Sequence, residues 1–304
     1  MSAALLIPAL LLDAALGEPK WLWDRLPHPA VLMGRAIDVL EWRFNAGAAR
    51  RAKGAAVMAG LGIGAMVLGW VIHIIPDFGV LEIIAAAVLL AQRSLVDHVR
   101  AVADALRLSV GDGRRMVARI VGRDTGQMQT ADVARAAIES AAENLSDGVV
   151  APAFWFLIGG LPGLMLYKIT NTADSMIGHR SPRFEQFGWA AARFDDVLNW
   201  VPARLTALLI ALTHGRLDAA APILRDAPLH RSPNAGWPEA AMAVVLNIAL
   251  SGPRSYGGGV QDFPFVYPEG RHDIGPDEID ASVAALWRVW AGFTALCLTW
   301  VWLT

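Results

Sequence analysis

The stretch "AAVMAGLGIGAMVLGWVIHII", Ala55 to Ile75, decides the fold. Its one ionisable residue is His73, and it is long enough to supply the ~20 residues a helix needs to cross a bilayer. No water reaches the hydrocarbon core to satisfy exposed backbone groups, so a run of this kind enters as a helix. Beyond it, "PDFG" (Pro76 to Gly79) is a turn signal. Apolar residues then return from Val80 to Ala91 with Glu82 as the lone acid. A helical hairpin is expected.

Composition extends this reading to the whole chain. Of 304 residues, 55% are hydrophobic and 18% charged, with a mean hydropathy of +0.41. Soluble domains run at about 45–50% apolar and about 25% charged, so the shift points to lipid. A net charge of -2 argues against a nucleic-acid partner, which would call for a basic face. Cys297, the single cysteine, excludes an internal disulfide and a cysteine-based zinc site. The N-terminal "MSAALLIPALLLDAALGEP" lacks the positive n-region of a secretory signal and is interrupted by Asp13, so a retained membrane-embedded helix is expected. Ser282 to Thr304 is a further candidate span. Arg288 can snorkel there, and Trp287, Trp290, Trp300 and Trp302 suit the headgroup belts.

The expected fold class is therefore all-α, a polytopic integral membrane protein. One domain covers 1–304, with 92–148 as an amphipathic cytoplasmic insertion and 252–281 as a variable loop. In "LVDHVRAVADALRL", Leu95, Val99, Val102 and Leu106 recur at helical spacing, and a second helix is expected with Asp132 as its N-cap. "GGG" at 257–259 reads as a flexible loop. The apolar run from Val149 to Tyr167 is broken by "GGLPG" (Gly159 to Gly163). Either the break kinks one tilted span, or it is the tip of a re-entrant pair. The segments Glu41–Gly54, Gln92–Gly148, Lys168–Trp200 and His214–Pro238 all carry several arginines, and the positive-inside rule would put all four on one side. That favours the re-entrant, broken-helix alternative.

Polar residues cluster where an apolar chain would not keep them without reason. Glu139, Glu143 and Asp147 fall at i, i+4 and i+8, three carboxylates on one helical face that suit a hard cation such as Mg²⁺. The plain alternative is a solvated face on which Arg135 pairs with Glu139. In "KITNTADSMIG", Lys168, Asn171, Asp174 and Ser175 repeat at three- and four-residue steps: the lysine suits phosphate and the aspartate suits Mg²⁺. The stretch "FGWAAARFDDVLNWVPARLTAL" adds Arg193, Asp195, Asp196, Asn199 and Arg204, readable also as salt bridges and interface anchors. In "RDAPLHRSPNAGWPEAAMA", Arg231, Ser232 and Asn234 precede a helix start able to hold an anion, although the same residues make ordinary turns. No nucleotide-binding P-loop, zincin or hydrolase-elbow motif is present.

Taken with "DAALGEPKWLWDRLPHPAVLMGRAID" and the unbroken series from "ESAAENLSDGVV" to "PARLTAL", these motifs resemble the CobD/CbiB family of cobalamin biosynthesis, the adenosylcobinamide-phosphate synthases. The likeness covers essentially the whole chain. It implies a multi-pass protein of the bacterial inner membrane that joins aminopropanol, or its O-phosphate, to the free propionate of adenosylcobyric acid, with ATP as co-substrate and Mg²⁺ as cofactor. The resemblance marks the motifs without assigning roles; by their chemistry, Lys168, Asp174, Arg193 and Asp196 are the expected catalytic groups. Glu139, Glu143 and Asp147 are the expected metal ligands, and Asn144, Asn171, Ser175, Arg231, Ser232 and Asn234 the expected substrate contacts. Other corrin-pathway enzymes are conceivable partners, as is the bilayer itself, and no nucleic acid is expected. The rival classes are a non-catalytic membrane sensor of the AmpE type and a corrinoid-binding transporter with the broken helix lining its path.

Overall fold

The computed structural model describes residues 2–256 and 259–303; Gly257 and Gly258 of the expected flexible loop lie outside them. In chain order the helices are α1 (Ser2–Leu16), α2 (Lys20–Trp23), α3 (Pro29–Phe44), α4 (Arg50–His73), α5 (Val80–Leu89), α6 (Gln92–Leu108), α7 (Val110–Val117), α8 (Thr130–Leu145), α9 (Ala151–Ile177), α10 (Trp189–Leu198), α11 (Trp200–Thr213), α12 (Ala220–Asp226), α13 (Gly236–Leu246) and α14 (Pro276–Leu303). Among the described residues, the short strands β1 (Leu250–Ser251), β2 (Arg254–Tyr256), β3 (Gly259–Gln261) and β4 (Phe265–Val266) pair antiparallel, β1 with β4 and β2 with β3. The fold is all-α in every respect that matters to its core. Among the described residues, three helical stretches can cross a membrane by length and apolarity: Arg50–His73, Thr130–Ile177 and Pro276–Leu303. The bent pair α10 and α11 makes a fourth if it counts as one span.

The chain divides into two compact units, one of Met1–Ala91, Ala151–Trp200 and Leu296–Thr304, the other of Gln92–Val150 and Val201–Ala295. In the first unit the expected hairpin is present. Asp77 takes the backbone N–H groups of Gly79 and Leu81 at 2.9 and 2.7 Å, fixing the turn, and His73 Nδ1 meets Glu82 Oε1 at 2.8 Å across its tip. Glycines let α4 approach its neighbours closely. A Cβ on Gly69 would lie 2.7 Å from the Pro162 backbone, and one on Gly54 would strike the Phe187 carbonyl.

Helix α9 decides between the two readings of "GGLPG". Gly160 adopts φ 59° and ψ -155°, a conformation only glycine takes readily, and the chain reverses there. Beyond the reversal, a Cβ on Gly163 would lie 2.5 Å from the Trp155 carbonyl oxygen. Ala151 and Tyr167 meet in one buried cluster with Leu198, whereas sixteen residues of straight helix would separate them by about 24 Å. The first limb, Ala151 to Gly159, is only about 14 Å of helix, well short of a hydrocarbon core of roughly 30 Å. Segment 151–177 is thus a folded-back pair of limbs.

In the second unit, Leu95, Val99, Val102 and Leu106 are all buried along α6, as their spacing predicts. The start of α8 differs from expectation. Gln129 is the N-cap, and Asp132 sits three residues into the helix, accepting the Gln129 N–H at 2.9 Å. At its other end α8 passes into a π-turn, Ser146–Val150. A π-turn spends an extra residue per turn and so rotates the residues after it off the face of those before it.

Candidate functional site

Each unit carries a polar cluster. In the first, α9 and α10 are joined by a hydrogen-bonded chain. Tyr167 Oη donates to Asn199 Oδ1 at 3.0 Å, Asn199 Nδ2 donates to Asp195 Oδ2 at 2.9 Å, and Asn171 Nδ2 donates to Asp195 Oδ1 at 3.3 Å. Tyr167, Asn199 and Asp195 are buried, so these bonds satisfy groups that would otherwise be costly to desolvate. The chain fixes Asp195 within electrostatic reach of Asp174 and Asp196. Arg193 pairs with Asp196 at 3.5 Å, the plain salt bridge of the sequence reading. Lys168 acts electrostatically on His28, which burial, chiefly, and that lysine hold below its ordinary value. Ser175 lies exposed on the same limb as Asp174. Of the expected groups, this unit therefore gathers Lys168, Asn171, Asp174, Ser175, Arg193 and Asp196 on two adjoining helices.

The second cluster lines a cavity of about 210 Å³ between α8, the segment after α7, the loop before α13, α13 itself and β2. Glu139 and Glu143 lie on one face of α8, with Asn144 beside them donating to Ser140 O at 2.8 Å. Glu139 is fully engaged: Arg123 Nη2 reaches it at 2.6 Å, Arg254 Nη2 at 3.2 Å, and the Ser251 N–H donates to it at 2.7 Å. Glu239 projects from α13, 3% exposed, and its Oε1 accepts no hydrogen bond. The nearest cations, Arg254 Nη2 and His230 Nε2, stand 3.6 and 3.8 Å from its carboxylate. Burial first, then the neighbouring Glu139 charge, push the Glu239 carboxyl well above the usual range. Burial, and then Arg254, push His230 below its ordinary value.

Three expectations change here. Asp147 falls in the π-turn and is not among the residues that line the cavity with Glu139 and Glu143. Among the described residues no group of three or more His, Cys, Asp or Glu is placed to hold a metal ion, and two guanidiniums occupy the place a cation would take at Glu139. The plain Arg135–Glu139 pair is absent as well, because Arg135 turns to the Ala249 and His272 carbonyls and to Asp132. Arg231, Ser232 and Asn234 shape the loop before α13. Ser232 Oγ accepts the Asn234 and Ala235 N–H groups, Asn234 accepts from Arg204, and Arg231 donates to Gln261 while lying 4.2 Å from the Phe263 ring centroid.

Sequence reasoning missed Arg123, His230, Glu239 and Arg254. None stands in a spaced motif, and Arg254 belongs to the stretch read as a variable loop, where β2 carries it back onto α8. The available signal was a lone glutamate in "GWPEAAMAVVL", an otherwise apolar helix.

An all-α membrane protein with a folded-back pair of limbs and charged clusters buried in its helices is the class these features define. The model of the CobD/CbiB protein family matches residues 6–286, and the chain belongs to that family. It is 48% identical to cobalamin biosynthesis protein CobD of Brucella anthropi, over 95% of this chain and 94% of that one. It is 49% identical to the CobD of Sinorhizobium fredii, over 93% and 92%, and 44% identical to that of Rhodobacter capsulatus, over 96% and 95%. No solved structure matches it.

Proposed function

We propose that the chain works in cobalamin biosynthesis in the bacterial inner membrane, joining aminopropanol or its O-phosphate to the free propionate of adenosylcobyric acid at the expense of ATP. The observation that carries this reading is end-to-end identity with proteins named for that pathway. A carboxylate is a poor acyl donor to an amine, so the propionate is first phosphorylated and the amine then displaces phosphate, giving an amide.

The first unit's residues suit phosphate handling. Lys168 offers a point charge and Arg193 a fork of donors for phosphoryl oxygens. Mg²⁺ keeps most of its waters and takes one or two carboxylates together with substrate phosphate, a donor requirement that Asp174 and Asp196 meet without a three-ligand cage. When bound, the ion supplies charge neutralisation at the transferring phosphoryl group. Asp195, locked by Asn171 and Asn199, positions its neighbours through the helix it sits on. Asn144, Asn171 and Asn234 offer amide donors and acceptors to the corrin rim, and Arg231 offers a cation above Phe263.

The test is direct. Detergent-purified protein is incubated with adenosylcobyric acid, aminopropanol or its phosphate, ATP and Mg²⁺, and the corrinoid products are resolved by mass. An amide product that needs both ATP and Mg²⁺ is expected. Its absence with either amine would defeat the reading.

A further inference from the structure

Apolar grooves run along both flanks of α4, and one of them ends at a cation. The larger, about 740 Å³, lies between α3, α4 and the second limb of α9, all within the first unit. Ala56, Gly60, Gly64 and Leu68 form its α4 wall, one turn apart and exposed, and a Cβ on Gly60 or Gly64 would meet nothing within 4 Å. Leu40 and Phe44 stand on the α3 wall, with Met165 and Ile169 of α9 between the two helices. From Lys53 to Leu68 the groove follows about 22 Å of helix, longer than the roughly 15 Å depth of one leaflet. Of the candidate spans among the described residues α4 is the least buried, so a groove along it meets acyl chains.

Charge at one end selects the occupant. Lys53 is the charged residue lining the groove, and its Nζ donates to the Ala46 carbonyl at 2.8 Å, which leaves two of its three N–H donors. Among the described residues neither Lys53 nor the flanking Arg43 and Arg51 forms an ion pair with a carboxylate; Arg43 and Arg51 lie against the Phe44 and Trp189 rings. The acid at that end of α3, Glu41, is held by Arg183 at 2.6 Å. Basic pockets between spanning helices suit anionic headgroups, each cation contributing about 1 kcal/mol at a charged membrane surface. The groove on the other flank, about 390 Å³ between Ala59, Gly62, Leu166 and Phe194, has no charged residue in its lining among the described residues. We propose that the groove between α3, α4 and α9 seats one acyl chain of an anionic phospholipid from the surrounding bilayer, with the headgroup phosphate at Lys53. The site rests on this groove and is independent of the ligase reading.

The test is native mass spectrometry of the delipidated full-length protein in detergent, titrated with dioleoylphosphatidylglycerol or dioleoylphosphatidylcholine, which share their acyl chains and differ in net charge. The first is expected to bind about fivefold or more tightly, the size of one cation at the headgroup. Lys53→Gln should remove that preference. Gly64→Leu, placed where the groove is open, should weaken phosphatidylglycerol about tenfold or more by displacing its chain, and Ala59→Leu in the uncharged groove should change neither. Glycerol 3-phosphate, a headgroup without chains, should not compete. Equal binding of the two lipids by the wild type overturns the proposal even if no variant folds. So does a folded Lys53→Gln that keeps the preference, a Gly64→Leu with wild-type affinity, an Ala59→Leu that loses as much, or displacement by glycerol 3-phosphate. A wild-type dimer that Gly64→Leu dissolves would also overturn it, by giving the groove to a second copy of the chain.

Discussion

Glu239 ties the cavity's chemistry to the stability of the protein. Its carboxyl is raised from an ordinary 4.5 to about 8, so the folded state binds its proton more tightly than the unfolded state does. Stability from this group is fully present below about pH 4.5 and is lost as the pH rises toward about 8. His230 works the other way, since its lowered value makes the folded state shed a proton sooner, and Arg123, Arg254, Glu139 and Glu143 complete the charges facing the site. Comparison with a variant isolates the carboxyl. The melting temperature of Glu239→Gln relative to wild type should climb steadily from pH 5 to pH 8; a constant difference would show that Glu239 does not titrate there. At the other cluster, Lys168→Ala and Asp174→Asn should lower amide synthesis by a factor of about 100 or more while the protein still inserts and melts normally. Near-normal turnover in either would remove that residue from the mechanism.

At the scale of elements, glycines on α4 divide into two kinds. Gly54 abuts the Phe187 carbonyl, whereas a Cβ on Gly60 or Gly64 meets nothing within 4 Å. Gly54→Ala should therefore abolish recovery of folded protein. Gly60→Ala should be neutral or stabilising by about 0.5–1 kcal/mol, the helix-propensity gain of alanine over glycine. Equal loss of folded protein in both, measured by detergent solubility and melting, would contradict these packing contacts. The folded-back limbs of α9 make a sharper prediction. With Cys297→Ser as background, cysteines replacing Ala151 and Tyr167 should cross-link on mild oxidation, because the two residues share one cluster. A continuous helix would hold them about 24 Å apart and give no cross-link.

For the whole molecule, three stretches apolar enough to span should keep the protein in the membrane through an alkaline carbonate wash that strips peripheral proteins. Release into the supernatant would overturn the membrane reading. The two compact units each draw on separated parts of the chain, 1–91 with 151–200 and 92–150 with 201–295, so neither is a contiguous stretch of sequence. The segment 92–148, which reads alone as an insertion, packs its helices on one another and also against α13 and β1, about a hundred residues downstream.

The information legible along the chain was local. Unbroken apolar runs marked α4, α5 and α14, and apolar spacing marked α6, because a helix buries or exposes a face by a period fixed in the backbone. Glycine and proline placed the break at "GGLPG", and the polar steps in "KITNTADSMIG" marked the limb that carries Lys168 and Asp174. Folding decided the rest. A spacing rule sees Glu139, Glu143 and Asp147 as one set, but only the folded chain shows that Arg123 and Arg254 claim Glu139 and that Asp147 does not line the cavity beside it. Those arginines stand 16 residues before and 115 residues after it in sequence, too far apart for any local period to relate them. Charge acts through space and not along the chain, so the cavity with its buried Glu239 exists only once the distant segments are packed together.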